Sequence, residues 1–378
     1  MLAGRIRIGV LFGGRSGEHA VSLLSAASVM AAMDKNKYEI IPVGITEDGR
    51  WLAGGDPLQA LQQKEVPGDC FFAALVTNPL SPGLVLFKEN GSKEQGREVE
   101  FIPLDVVFPV LHGPYGEDGT VQGLLELMGA PYVGAGVLSS SVGMDKEFMK
   151  ILFQHSGLPV ADFIALKDYR WERERSSIIE MIEEKIGYPC FIKPANLGSS
   201  VGVSKASDQG ELITGIETAL RYDRKAIVET FIDGREIECS VLGGDDPVSS
   251  IPGEIIPSGD FYDYRAKYID DRSQLIIPAP LEPEIREKIR EYAILAFQAI
   301  ECCGLGRVDF FYREREKEIF VSEINTMPGF TKISMYPKLW EHSGIPYSEL
   351  IDKLVEIALE RERQKSRLLT GYKFYEAR

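Results

Sequence analysis

Three short apolar-rich runs, residues 5–12 (RIRIGVLF), 38–44 (YEIIPVG) and 105–111 (DVVFPVL), constrain this chain more than any other feature. Each is too short for a typical helix and reads as a strand, the first and third as buried ones. Gly13 and Gly14 close the first run, and a helix is expected from about Glu18 to Met33 before the second. Strand, glycine turn, helix, strand is the opening of a parallel α/β layer.

Beyond that layer the pattern changes. Residues 53–100 are broken by Gly, Pro and Asn and give no assignment in detail. A helix near 121–128 and a short strand at 131–133 follow, and the small, polar stretch 134–141 reads as a domain boundary. Helices are expected at 146–156, 176–186 and 208–221, with strands at 189–194 and 226–232. Residues 284–302 form a strongly amphipathic helix stopped by Gly304, with Ile285, Ile289, Tyr292, Ala296, Phe297 and Ile300 on one side. Strands at 306–312 and 318–324 and a helix at 347–361 end the reading. With 378 residues, two or three domains are expected. A second unit begins after residue 141, and a last unit holds the polar, aromatic stretch 258–271.

Composition narrows function. The formal charge is −15, from 57 acidic and 42 basic side chains. That field repels phosphate backbones and anionic lipid, so neither nucleic acid nor a membrane surface is expected as a partner. The five cysteines are scattered without a C-x-x-C pair, which suggests neither a disulfide framework nor a thiolate zinc site. No signal-peptide pattern or apolar run of membrane-spanning length is present. A soluble, cytoplasmic protein is expected.

The strands at 306–312 and 318–324 flank the charged linker REREK and read as a hairpin. A register that sets Asp309 opposite Glu323 centres the turn on Glu316. Side chains two apart share a strand face, so Glu323 and Asn325 point the same way. Two carboxylates and an amide oxygen then form a hard, oxygen-rich site suited to Mg²⁺ with bound phosphates. A plain solvated hairpin is the competing reading, but unpaired carboxylates inside apolar strands are costly. Arg307 lies on the same face and could stabilise developing negative charge.

Lys193–Gly202 (KPANLGSSVG) ends a strand with a lysine and a loop of small residues, able to bring an ammonium and backbone N–H groups onto phosphates. No Walker A loop and no dinucleotide fingerprint occurs, which disfavours an NAD-dependent enzyme. HGPYGEDG (112–119) is a Gly-rich turn carrying a histidine and two acids. FYDYRAKY (261–268) packs aromatics into a stretch with no core period, as functional lids do.

In their order, LFGGRSGEHAVS, HGPYGEDGTVQG, VGMDK, FIKPANLGSSVGVSK, FYDYRAKY, GLGRVDFF and VSEINTMPGFTKISMYP resemble the D-alanine–D-alanine ligase family, of the mixed α/β ATP-grasp fold. They run from residue 11 to residue 337, and the resemblance implies an N-terminal parallel α/β domain (1–138), a central domain (139–229) and a C-terminal domain (230–378) with a mobile loop near 255–275. The resemblance implies an enzyme that joins two D-alanines, with ATP as co-substrate and two Mg²⁺ (or Mn²⁺) ions, for peptidoglycan precursors. It also implies a homodimer. Ligation would pass through an acyl phosphate and then a tetrahedral intermediate.

By the same resemblance Glu18 holds the first D-alanine's ammonium, with His112 nearby, and Ser199 and Tyr268 join Glu18 in a hydrogen-bonded triad. Lys146 and Lys193 meet the ATP phosphates and Lys267 lies near the γ-phosphate. Glu229 and Glu236 resemble the adenine-edge and ribose contacts, and Thr230, Phe231 and Ile232 the adenine-linking segment. Arg307 resembles the oxyanion donor, Asp309, Glu323 and Asn325 the metal ligands, and Ser334 and Met335 the segment receiving the second substrate's carboxylate. Ala20 departs from the acid or polar residue frequent after the Glu–His pair. The nearest alternative is a D-alanine–D-lactate or D-alanine–D-serine ligase, against which Tyr268 resembles the dipeptide-forming class. A different ATP-grasp carboxylate–amine ligase and a non-catalytic nucleotide-binding protein are more distant alternatives.

Overall fold

A computed structural model describes residues 4–89, 97–256 and 274–369. Its first sheet has seven strands: β1 (Ile6–Gly13), β2 (Tyr38–Ile45), β3 (Trp51–Ala53), β4 (Phe71–Val76), β5 (Gly83–Glu89), β6 (Arg97–Pro103) and β7 (Val106–Val110). They lie in the order β6-β5-β4-β3-β2-β1-β7, and β1 pairs in parallel with both β2 and β7. These are the three runs that open the sequence reading, and Ile8, Val10, Phe12, Val106 and Phe108 are fully buried. Helices α1 (His19–Ala32), α2 (Pro57–Gln63) and α3 (Thr120–Met128) accompany the sheet.

Residues 53–100, opaque in the sequence, supply α2 and the antiparallel side of this sheet. Its β4 is apolar at every position (FFAALV) yet alternates between half-buried and exposed side chains, so no period-two pattern shows which face is wet. The strand expected at 131–133 reduces to a single bridge between Val107 and Tyr132. The boundary expected at 134–141 is a helix over much of its length, α4 (Val137–Met144). Its small residues serve packing: Ser139 and Ser140 are buried, and a Cβ on Gly143 would meet Thr326 at 2.9 Å.

Helix α5 (Lys146–His155) follows, capped by Asp145, which accepts from the Glu147 and Phe148 N–H groups. The second sheet is antiparallel: β8 (Phe163–Lys167), β9 (Cys190–Pro194), β10 (Ser204–Ala206) and β11 (Lys225–Thr230), in the order β10-β9-β11-β8. Helices α6 (Asp168–Lys185) and α7 (Gln209–Ala219) pack on it through one apolar cluster. α6 begins at Asp168 rather than near residue 176, its two parts meeting at a kink where Glu174 leaves helical geometry.

The third sheet runs β15-β14-β12-β16-β17, from β12 (Arg235–Gly243), β14 (Gly253–Ile256), β15 (Gln274–Ile276), β16 (Gly304–Arg313) and β17 (Glu318–Asn325). The short β13 (Val248–Ser249) pairs with β12. α8 (Pro283–Ala299) covers this sheet with Ile285, Ile289, Ala296 and Phe297, close to the stripe read from sequence. α9 (Met335–His342) and α10 (Tyr347–Lys365) return to the first sheet, burying Leu350, Ile351, Leu354 and Val355 in one cluster with Ile8, Val106 and Phe108. Lys267 and Tyr268 fall in residues 257–273, outside the described residues, as does most of the loop expected near 255–275, whose two ends belong to β14 and β15.

Candidate active site

The β16–β17 hairpin has the register expected at its centre: Arg307 faces Asn325 and Asp309 faces Glu323. The route to that register was not legible. From the turn upward, Phe310 pairs with Val321, so a regular ladder would set Ser322 against Asp309. One extra residue, Ser322, bulges out and changes the phase of β17. Before the bulge Ile319 and Val321 face the core; after it Ile324 does, and Glu323 and Asn325 turn to the opposite face. β16 alternates without interruption, with Val308, Phe310 and Tyr312 inward and Arg307 and Asp309 outward. The bulge therefore brings both acids to one face.

On that face Arg307 donates to Asp309 through two bonds, Nε to Oδ1 and Nη2 to Oδ2, each 2.7 Å, and lies 3.0 Å from Glu238 on β12. The Asn325 amide donates to Asp309 Oδ2 at 3.0 Å. Among the described residues no group of three or more His, Cys, Asp or Glu forms a ready-made cage. Two carboxylates and a neighbouring amide oxygen nevertheless make a hard donor set that fits Mg²⁺.

A cavity of about 400 Å³ opens beneath this face, between the second and third sheets. Its charged end holds Lys146 from the first turn of α5, Lys193 from β9, and Asp309 and Glu323. Its apolar end has Phe231, Ile232, Phe311 and Phe320, and Glu229, Thr230 and Glu236 also line it. The Phe231 ring is tilted against Phe191 at 5.8 Å and lies under the Lys205 ammonium at 4.2 Å. Lys146 Nζ donates to the Leu197 carbonyl at 2.7 Å, tying α5 to the Gly/Ser loop. Burial pushes the Lys146 pKa below the ordinary lysine value, with Glu323 opposing. Lys193 Nζ donates to Glu229 Oε2 at 2.9 Å; burial lowers its pKa, but Glu229 and Glu323 outweigh burial and raise it. Burial alone would raise the Glu229 pKa, yet Lys150 and Lys193 bring it down to about 2.

The Gly/Ser loop makes a tight turn, closed by Val201 N–H to Gly198 O, with both central residues at positive φ: Ser199 at 51° and Ser200 at 56°. From that turn, at the lining of the cavity, the Ser199 hydroxyl donates to Glu18 Oε1. Glu18 is buried just before α1, its N–H donating to Ser16 Oγ. Ser199 thus joins two regions: the cavity, and the cluster of Glu18 and the HGPYGEDG turn, where a Cβ on Gly113 would meet the Glu18 carboxylate at 2.6 Å.

His112 belongs to that cluster, within the electrostatic reach of Glu18. Its Nδ1–H donates to the Met327 carbonyl at 3.0 Å and its Nε2 accepts from the Ser25 hydroxyl at 3.0 Å. Both ring nitrogens are engaged by the protein, and burial lowers the ring's pKa although Glu18 pulls it upward. Nearby Glu117 accepts from Gly113 N–H at 2.6 Å, and burial together with Glu18 pushes its carboxyl up to about 8. Ser334 Oγ accepts from Thr331 N–H ahead of α9, whereas the Met335 side chain is buried against Ile255 and Leu339.

Three residues of this environment escape a reading of the sequence. Lys150 lies on the Lys146 face of α5, four residues on; Glu238 shares the Glu236 face of β12, two residues on; Glu117 is one of the two acids of HGPYGEDG. Helical and strand period were the available signals for the first two.

Family models described as D-ala D-ala ligase N-terminus and C-terminus match residues 7–135 and 152–356. A D-alanine–D-alanine ligase from Natranaerobius thermophilus is 49% identical over 368 residues, covering 97% of this chain and 99% of the relative. One from Caldicellulosiruptor bescii is 50% identical over 363 residues, covering 96% and 97%. Among solved structures, the VanG D-Ala:D-Ser ligase from Enterococcus faecalis superposes with a TM-score of 0.82 at 35% identity, covering 94% of this chain and all of that one. The D-alanine-D-alanine ligase from Coxiella burnetii gives 0.80 at 34%, covering 97% of each.

Proposed function

The chain belongs to the D-alanine–D-alanine ligase family, with the ATP-grasp fold, and we propose that it joins two D-alanines at the expense of ATP through the residues described above. The products are D-alanyl-D-alanine, ADP and phosphate, and the dipeptide serves peptidoglycan precursor synthesis. One observation carries the assignment of the site: Ser199 lines the nucleotide-sized cavity and at the same time bonds Glu18. A phosphoryl donor in the cavity and an ammonium on Glu18 would then meet across one hydroxyl.

In this reading the apolar end of the cavity takes the adenine between Phe231, Ile232 and the third sheet, with Glu236 toward the ribose. Glu229 acts as the counter-ion of Lys150 and Lys193, so the backbone of residues 230–232 supplies the adenine-edge contacts. Lys146 and Lys193 hold the phosphates. Asp309, Glu323 and Asn325 would hold Mg²⁺, which when bound neutralises phosphate charge. Glu18 orients the first D-alanine so that its carboxylate oxygen faces the γ-phosphorus, and proximity supplies much of the rate. The second D-alanine, its carboxylate near Ser334, presents its amine to the acyl carbon. Arg307, held between Glu238 and Asp309, is aimed at the oxyanion of the tetrahedral intermediate.

The number of metal ions, a cytoplasmic location and a homodimer belong to the same proposal. No helix among the described residues is long and apolar enough to cross a membrane. ADP release measured with D-alanine alone, and with D-lactate or D-serine as second substrate, tests the reading. D-alanine-dependent release that neither competitor exceeds supports it. Preference for D-serine or D-lactate would replace it with the D-Ala:D-Ser or D-Ala:D-lactate alternative, and no release with any amine would end it.

A further inference from the structure

Lys150 is a buried cation that the reaction as described does not touch. It is 1% exposed, one turn beyond Lys146 on α5. Its Nζ donates to the carbonyl of Ser322 at 3.1 Å and lies 3.4 Å from Glu229 Oε1. Ser322 is the extra residue of the β17 bulge and has no partner across the ladder. β17 is also the edge strand of its sheet, so its outward backbone groups need partners from elsewhere. They find them: Val321 N–H donates to Pro159 O at 2.8 Å, Ile324 N–H to Met149 Sδ at 3.5 Å, and Ser322 O takes Lys150. Adjacent residues of α5, Met149 and Lys150, therefore grip β17 on either side of Glu323.

Charge adds a second consequence. Lys193 is ion-paired to Glu229, and an unassisted pair would leave Lys193 with little net field for an anion. With Lys150 at 3.4 Å from the other oxygen, the Glu229 carboxylate is shared between two lysines, which leaves Lys193 more of its field for an anion although burial lowers the Lys150 pKa.

We propose that Lys150 is a positioning residue that fixes the Ser322 bulge and neutralises Glu229, so that one side chain sets both the cation end (Glu323) and the phosphate end (Lys193) of the cavity. The inference rests on the nucleotide reading of that cavity. It predicts that Mg²⁺ affinity and nucleotide affinity fall together when Lys150 is changed, while binding of the first D-alanine, which depends on Glu18 and Ser199, does not.

The test uses ADP as probe. Calorimetric titration of ADP into wild type and Lys150→Met, with and without Mg²⁺, reads affinity without turnover. Steady-state runs then give the ATP KM, the Mg²⁺ concentration at half activity and the D-alanine KM. Expected are weaker ADP binding and a higher Mg²⁺ requirement, each by roughly 10- to 100-fold as for other residues that orient metal ligands, with the D-alanine KM within about twofold. A merely structural lysine would lower Tm and the fraction of active protein but leave these constants in place, and that result overturns the proposal. If Lys150→Met does not fold, Lys150→Gln makes the same comparison. Its amide can still donate to Ser322, so it should lose ADP affinity through charge while moving the Mg²⁺ requirement less. Wild-type constants in that variant overturn the proposal as well. Wild-type protein that does not bind ADP at all would instead refute the nucleotide reading, which separates the two failures.

Discussion

At the scale of single residues, the sharpest expectations concern groups held between opposing partners. Arg307 is bidentate on Asp309 and close to Glu238, so its guanidinium has a fixed direction. Arg307→Ala should lower kcat by roughly 10²–10³ while the ATP KM changes far less. It should also lower Tm, because two half-buried or buried acids lose a counter-ion; an equal collapse of ATP affinity would mark Arg307 as a ground-state phosphate ligand. His112 makes a prediction about pH. Its pKa is depressed by burial in the folded protein, so the unfolded chain binds a proton more readily below the ordinary value of about 6.5. The stability it contributes is present above that pH and is lost as pH falls below it. His112→Gln should therefore cost most near pH 8, and its Tm should approach that of wild type as pH falls from about 6.5 toward 5. Glu117 slopes the other way: raised to about 8, it contributes fully at acid pH and loses that contribution as pH rises toward 8. Residue types were legible in the sequence here, since an acid inside an apolar strand already asks for a partner. The partners were not: Glu18 and Ser199 are 181 residues apart, and no local pattern records that contact.

At the scale of elements, periodicity did well where a strand or helix kept one phase. β16 alternates throughout, and the amphipathic stripe of α8 was readable residue by residue. It failed where phase breaks or where one face is wet. The bulge at Ser322 inverts β17 without any glycine to announce it, and the half-exposed β4 is apolar on both faces, so its sequence shows no alternation. The turn at Gly198–Val201 gives the element-scale prediction. Two consecutive serines at positive φ are strained, each by about 1–2 kcal/mol relative to ordinary backbone. Ser200→Gly should retain activity and Tm, whereas Ser200→Val, β-branched at the same φ, should lower Tm. Thermal scans of both variants decide it; equal Tm values would mean that the turn is not under strain.

At the scale of the whole molecule, the order of motifs announced three successive units, and the three sheets do follow one another along the chain. What the order could not announce is that the chain comes back. α10 completes the core of the first sheet, Arg361 donates to the carbonyls of Tyr132 and Gly134 at 2.7 and 2.6 Å, and its guanidinium stacks on the Tyr132 ring at 4.2 Å. Leu354→Ala should accordingly cost about 2–5 kcal/mol of stability while leaving the ATP KM unchanged, because Leu354 is buried in that core and does not line the cavity. Chemical denaturation with parallel kinetics checks this, and a shifted KM would show that α10 reaches the site. The same return has a consequence for synthesis on the ribosome. Ile8, Val106 and Phe108 emerge long before Leu350 and Leu354 exist to cover them. At typical translation rates of about 5–20 residues per second, the first sheet waits on the order of ten seconds or more with part of its apolar face open. During that interval the nascent chain is a client for any holdase that recognises bare apolar strands, and protection comes only with the arrival of its last long helix.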